Sequence, residues 1–119
     1  MTKISDTLMP LYNKLLPKCE EQKISLNLDL PDPTIPVEDA KALEKLTKKL
    51  IKDAAARIGK KGTITVGVKK GVKYPVIITI KDSGTALTRE ERETLEADEN
   101  VTVRSRMGYG TTITVKISA

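Results

Sequence analysis

One thiol, Cys19, and no histidine set the limits on direct chemistry in this 119-residue sequence. Without histidine, the commonest general base, the nucleophile–imidazole pair and the commonest zinc ligand are all missing. A histidine phospho-acceptor is excluded with them. Cys19 sits beside Glu20 and Glu21, whose carboxylates disfavour a thiolate, so its expected place is the core or the core boundary. A lone cysteine closes no disulfide within the chain, which fits a reducing compartment.

The remaining reactive groups are charges, and they are unevenly spread. Residues 1–37 hold 4 Lys/Arg against 5 Asp/Glu, residues 38–81 hold 12 against 4, and residues 82–119 hold 5 against 7. The net +5 is therefore a basic centre between two slightly acidic ends. Such a centre can serve phosphates, nucleic acid or an acidic partner protein, or it can be the solvated face of a lysine-rich helix. With 39% hydrophobic and 31% charged residues the composition is that of a globular chain, and 119 residues suit one domain spanning 1–119. No apolar block is long enough for a signal peptide or a membrane span, so a cytoplasmic location and no membrane partner are expected.

The elements that must position these groups follow from the hydrophobic period. Ile4, Leu8, Leu11 and Leu15 recur at helical spacing, with Pro10 inside the pattern predicting a kink or a late helix start. Ile24, Leu26, Leu28 and Leu30 alternate as in a half-buried strand, and three prolines in residues 31–36 make the next segment a loop. A long helix is predicted from about Val37 to Ile58, with Leu43, Leu46, Leu50, Ala54 and Ile58 on one face and Lys41, Lys45, Lys48, Lys49 and Lys52 largely outside it. Gly59 and Gly62 should stop it. A hairpin follows, with Ile64, Val66 and Val68 on one strand, a turn carrying Gly71 and Pro75, and an apolar interior strand over Val76–Ile80. Thr88 is an N-cap candidate for a short helix to Leu95 whose first turn holds Glu90 and Glu91. Two alternating strands, around a loop with Gly108 and Gly110, close the chain. The order α-β-α-β-β-α-β-β implies an α/β (α+β) two-layer sandwich, three helices on one face of a five-stranded, mixed, mostly antiparallel sheet.

In that order the phrases resemble the ATP-binding domain of sensor histidine kinases, the Bergerat fold shared with gyrase, a group of heat-shock chaperones and MutL. EEQKISLNLDLP is similar to the family's entry strand, of the type A-x-x-K-x-I-x-L. LEKLTKKLIKDAAARIGKKGTITVGV is similar to its N-box helix and following strand, L-x-x-[AV]-L-x-N-L-[IL]-x-N-A-[ILV]-K-[FY]-[ST]. VIITIKDSGTAL looks like the first glycine box, D-x-G-x-G-[IL], and SRMGYGTTITVKI like the closing hairpin, S-x-x-G-x-G-[ST]-x-[FI]. The resemblance runs over nearly the whole chain.

The resemblance implies roles for single residues. Asp82 matches the aspartate whose carboxylate receives a hydrogen bond from the adenine amino group, and Gly84 the first glycine after it. Thr111 and Thr112 match the small hydroxyl residues that support the adenine pocket, although threonine is also an ordinary strand residue. Asp53 matches the asparagine that ligates the magnesium of Mg-ATP, and a carboxylate can hold a hard cation through oxygen. Lys49, one turn earlier, stands where the family places a polar residue near the phosphates; a lysine is no general base there and can reach Asp53 at i, i+4. Ala86 replaces the second glycine of the first box. Between that box and the closing strands the family has a lid and a second glycine box of the type G-x-G-L-G-L. Here LTREERETLEADEN, residues 87–100, spans the interval, with no glycine and with acidic side chains that repel a triphosphate.

The expectation is a degenerate ATP-binding domain acting as a signalling or regulatory interaction module, with a protein partner, no autonomous kinase activity and, at most, weak ATP and magnesium binding. One alternative is a basic module for nucleic acid, poorly supplied with stacking platforms by three tyrosines, or for an acidic protein. Another is the ATP-binding domain of an active kinase whose lid is deleted or supplied elsewhere.

Overall fold

A computed structural model describes residues 2–71, 76–84, 87–106 and 110–117. The expected turn residues 72–75, together with Ala86 and Gly108, lie outside the described residues. The elements in order are β1 (Thr2–Lys3), α1 (Ile4–Glu21), β2 (Ile24–Asp29), β3 (Pro36–Val37), α2 (Ala40–Ile58), β4 (Gly62–Lys69), β5 (Val76–Asp82), α3 (Arg89–Glu96), β6 (Val101–Arg106) and β7 (Gly110–Ile117). Three helices and a five-stranded mixed sheet in the order β2-β4-β5-β7-β6 make the two-layer sandwich that the element order implies. Only the β2–β4 pair is parallel, because α2 carries the chain from one strand to the other.

α1 begins at Ile4 and passes both Pro10 and Pro17 without interruption, so the late start expected from Pro10 does not occur. A proline removes one helical hydrogen bond, and the buried stripe Ile4, Leu8, Leu11, Leu15 and Cys19 outweighs that loss. Burial raises the Cys19 thiol above its ordinary pKa. α2 starts three residues later than the periodicity suggests. Asp39 accepts a hydrogen bond from Ala42 N at 3.1 Å and caps it, while Val37 is drawn into a two-residue antiparallel pairing of β3 with β1. The buried face of α2 is also broader than expected, adding Thr47, Ile51 and Ala55 to Leu43, Leu50 and Ala54. Gly59 ends the helix.

The sheet is covered on one side. Ile64, Val66 and Val68 of β4, Val76, Ile78 and Ile80 of β5, and Ile113 and Val115 of β7 are buried against the helices. The alternate residues form an open, polar face in cross-strand rows, of which Asn27, Thr65, Lys81, Thr112 and Arg104 make one. This alternation follows from the pleat, which sends successive side chains to opposite faces.

Candidate functional site

Asp82 is the last residue of β5, the central strand, with β4 and β7 on either side. The apolar run Val76–Ile80 places it there: burying the side chains of residues 76, 78 and 80 commits residue 82 to the same covered face. A carboxylate at that position needs partners, since a buried unpaired charge costs several kcal/mol, roughly 3–5. Asp82 has two. Arg57 of α2 donates from Nη2 to Oδ2 at 2.6 Å, and Gly84 N donates to Oδ1 at 2.9 Å. The carboxylate is fully buried and the Arg57 side chain is 11% exposed. Arg57 Nε is buried with no partner among the described residues.

Close packing fixes this corner. A Cβ on Gly84 would stand 3.1 Å from Asp82 Oδ1 and from atoms of Ile58. Gly110 is tighter. Its φ is +80°, and a Cβ there would lie 2.0 Å from the Asp82 carbonyl oxygen, so only glycine lets β7 start this close to the end of β5.

The two threonines part company. Thr111 is the cross-strand partner of Asp82 and is buried beside it, and its hydroxyl lies 2.9 Å from Ser105 Oγ. Ser105 Oγ in turn accepts from Leu87 N at 2.8 Å, so a polar row of Asp82, Thr111 and Ser105 runs across the covered face and ties down the chain entering α3. Thr112 is paired with Lys81 and Arg104 and faces the open side, away from Asp82.

Asp53 is exposed on α2, one turn before Arg57, and the two line one cleft of about 390 Å³ between α2 and α3. Lys49, Ala56, Leu87, Glu91, Thr94 and Leu95 complete its wall. Lys49 and Asp53 form no ion pair with each other. Among the described residues no three His, Cys, Asp or Glu side chains converge as cation ligands. Arg57 thus pairs with Asp82 and lines the same cleft as Asp53.

α3 fills the interval where the histidine-kinase resemblance implies a lid. It is stabilised locally: Thr88 Oγ1 accepts from Glu91 N and Glu91 Oε1 accepts from Thr88 N, both at 3.2 Å, a reciprocal capping box. The Thr88 hydrogen bonds lower the Glu91 carboxyl below its usual range. Arg89–Glu93 and Arg92–Glu96 pair along its exposed side, and none of its residues is buried.

Arg57 had no local signal. It lies 25 residues from Asp82, and its helix carries many other cations. The N-box phrase did hold a pointer, because the position it gives to Phe or Tyr, four after the asparagine, is Arg57 here. An arginine in place of a buried aromatic ring asks for a buried acid.

No family model and no curated protein matches the sequence. Solved structures do. The chain superposes on the catalytic domain of histidine kinase ThkA in a nucleotide-free form, with a TM-score of 0.83 and 15% identity, covering 98% of this chain and 92% of that one. The blue-light activated histidine kinase of Erythrobacter litoralis gives a TM-score of 0.76 at 14% identity, over 97% of this chain and 41% of that one. Histidine kinase ThkA in complex with response regulator protein TrrA gives 0.74 at 15% identity, over 98% and 40%. The chain therefore has the histidine kinase-like ATPase fold.

Proposed function

We propose that residues 1–119 act as one degenerate sensor-histidine-kinase-type domain, a cytoplasmic signalling module that works through a protein partner and binds ATP weakly or not at all. The observation that carries the reading is the Arg57–Asp82 ion pair. In the family the matching carboxylate is an acceptor for adenine. Here one oxygen is engaged by a guanidinium at 2.6 Å and the other by Gly84 N, so an adenine amino group meets an acceptor already in use. A base that takes the guanidinium's place at the carboxylate breaks a buried pair, at a cost of about 3–5 kcal/mol, two to three powers of ten or more in affinity.

The phosphate half offers no compensation. The segment from Leu87 to Asn100 forms an acidic helix and turn without a glycine, and Glu91 faces the cleft in which Asp53 lies. Asp53 and Glu91 both line that cleft, and their two negative charges oppose a triphosphate there. Support for a protein partner comes from the ThkA structure with its response regulator, a complex of the same fold. Isothermal titration with Mg-ATP tests the reading: no micromolar binding, no hydrolysis and no autophosphorylation are expected. A micromolar dissociation constant overturns it.

A further inference from the structure

A second cluster of charge lies away from the Asp82 corner, in the seam between α1 and α2. Lys14 and Lys18 are one turn apart on α1, and Lys48 and Lys52 are one turn apart on α2. The helices run side by side, so that Lys18 and Lys52 line one cleft, Lys14 faces α2 across another, and Gln22 at the end of α1 reaches the carbonyls of Ala55 and Gly59. Lys48, half-buried, is held below the ordinary lysine pKa by the charge of Lys14 first, then by Lys52, by burial and by Lys18. Glu44 and Glu21 lie within one turn of members of the cluster, yet among the described residues none of the four ammonium groups is in an ion pair. Clefts open on either side, one of about 250 Å³ bordered by Lys14 and Lys41 with Asp6 and Glu44, the other of about 270 Å³ bordered by Lys18 and Lys52.

Four cations along the seam outnumber Asp6 and Glu44, the acids lining the cleft beside Lys14, and that excess favours a concentrated negative charge. A phosphate group carries about −1.5 to −2 charge and three acceptor oxygens, enough for two lysines at once, whereas an acidic side chain carries a single charge. Nothing in the cluster reads a base: the four are lysines, and Tyr12, the aromatic residue of α1, turns its hydroxyl inward to Leu26 O at 3.0 Å. We propose that the α1–α2 seam is a binding site for a small anion bearing several linked phosphates, held by Lys14, Lys18, Lys48 and Lys52. The site is independent of the adenine corner and does not rest on the function proposed above.

Titration of the isotope-labelled full chain with inorganic tripolyphosphate, in about 50 mM salt to limit screening, tests this. Saturable amide shifts confined to residues 14–18 and 48–52, with Asp82 and Gly84 unmoved, are expected. Lys14→Gln with Lys48→Gln should weaken binding by about tenfold or more, while Lys60→Gln with Lys61→Gln, a control of equal charge, leaves it within about twofold. No saturation, or an equal loss in the control, overturns the proposal. So does tighter binding, per charge, of poly-glutamate or of a short DNA duplex, because either result assigns the seam to a macromolecule. Circular dichroism of both double variants separates loss of a ligand from loss of fold.

Discussion

The Asp82 corner and α3 face each other across one cleft and are held by opposite means. At the corner a buried ion pair, a cross-strand neighbour and a glycine without room for a Cβ join α2, β5 and β7, residues distant in sequence. α3 adds its own capping box and two exposed i, i+4 pairs, contacts four residues apart or fewer, to the Leu87 N–Ser105 Oγ bond that anchors its start. The lesson is that the Arg57–Asp82 side of the cleft is built into the core, while the α3 side is a helix with a locally encoded cap. Change can accumulate in the second without unfolding the first.

Removing the buried cation is the strongest way to test this contrast. Arg57→Ala leaves Asp82 charged and unpaired in the core and should cost about 3–5 kcal/mol in urea unfolding, whereas the double change Arg57→Met with Asp82→Leu, which removes both charges, should regain most of the loss. A single variant as stable as the parent would show that the corner is not anchored by this pair. Gly110→Ala follows, at about 3 kcal/mol or more, since the strained φ and the approach of the Asp82 carbonyl act together. On the other side of the cleft, Thr88→Ala should cost about 1 kcal/mol or less, read as faster amide exchange in α3 with protection in β5 unchanged. If exchange in β5 rises equally, the two halves are one cooperative unit and the contrast fails. The smallest effect is one of pH. Because the folded-state pKa of Glu91 is lowered, its stabilisation is complete above the ordinary value of 4.5 and is lost as pH falls through the lower folded value. α3 amides should therefore exchange relatively faster below about pH 4.5 in the parent, and Glu91→Gln should reduce that dependence, with Glu96, lowered by its bond to Arg92, carrying the rest.

Much of the fold was legible because the period of apolar residues switches cleanly between helix and strand. The exceptions have physical causes. Two prolines did not break α1, because a long buried stripe outweighs two missing hydrogen bonds. The β1–β3 pairing escaped notice since two residues show no period. In the site, Asp82, Gly84 and Thr111 were found through their motif phrases, and Thr112 came with its neighbour although the pleat sends it to the far face. Arg57 was hidden because long-range charge pairing leaves no spacing rule in a sequence. The lysine seam was visible as net charge but not as a place, because it needs the distance between two helices.

The one-sided cover of the sheet makes it a partition a single peptide layer thick. Thr111 and Thr112 are consecutive in the chain, yet the first adjoins the buried carboxylate and the second, half-buried, lies on the open face. A spectroscopic label carried by residue 112 would therefore listen through the backbone to strain at Asp82 while displacing none of the groups that hold it.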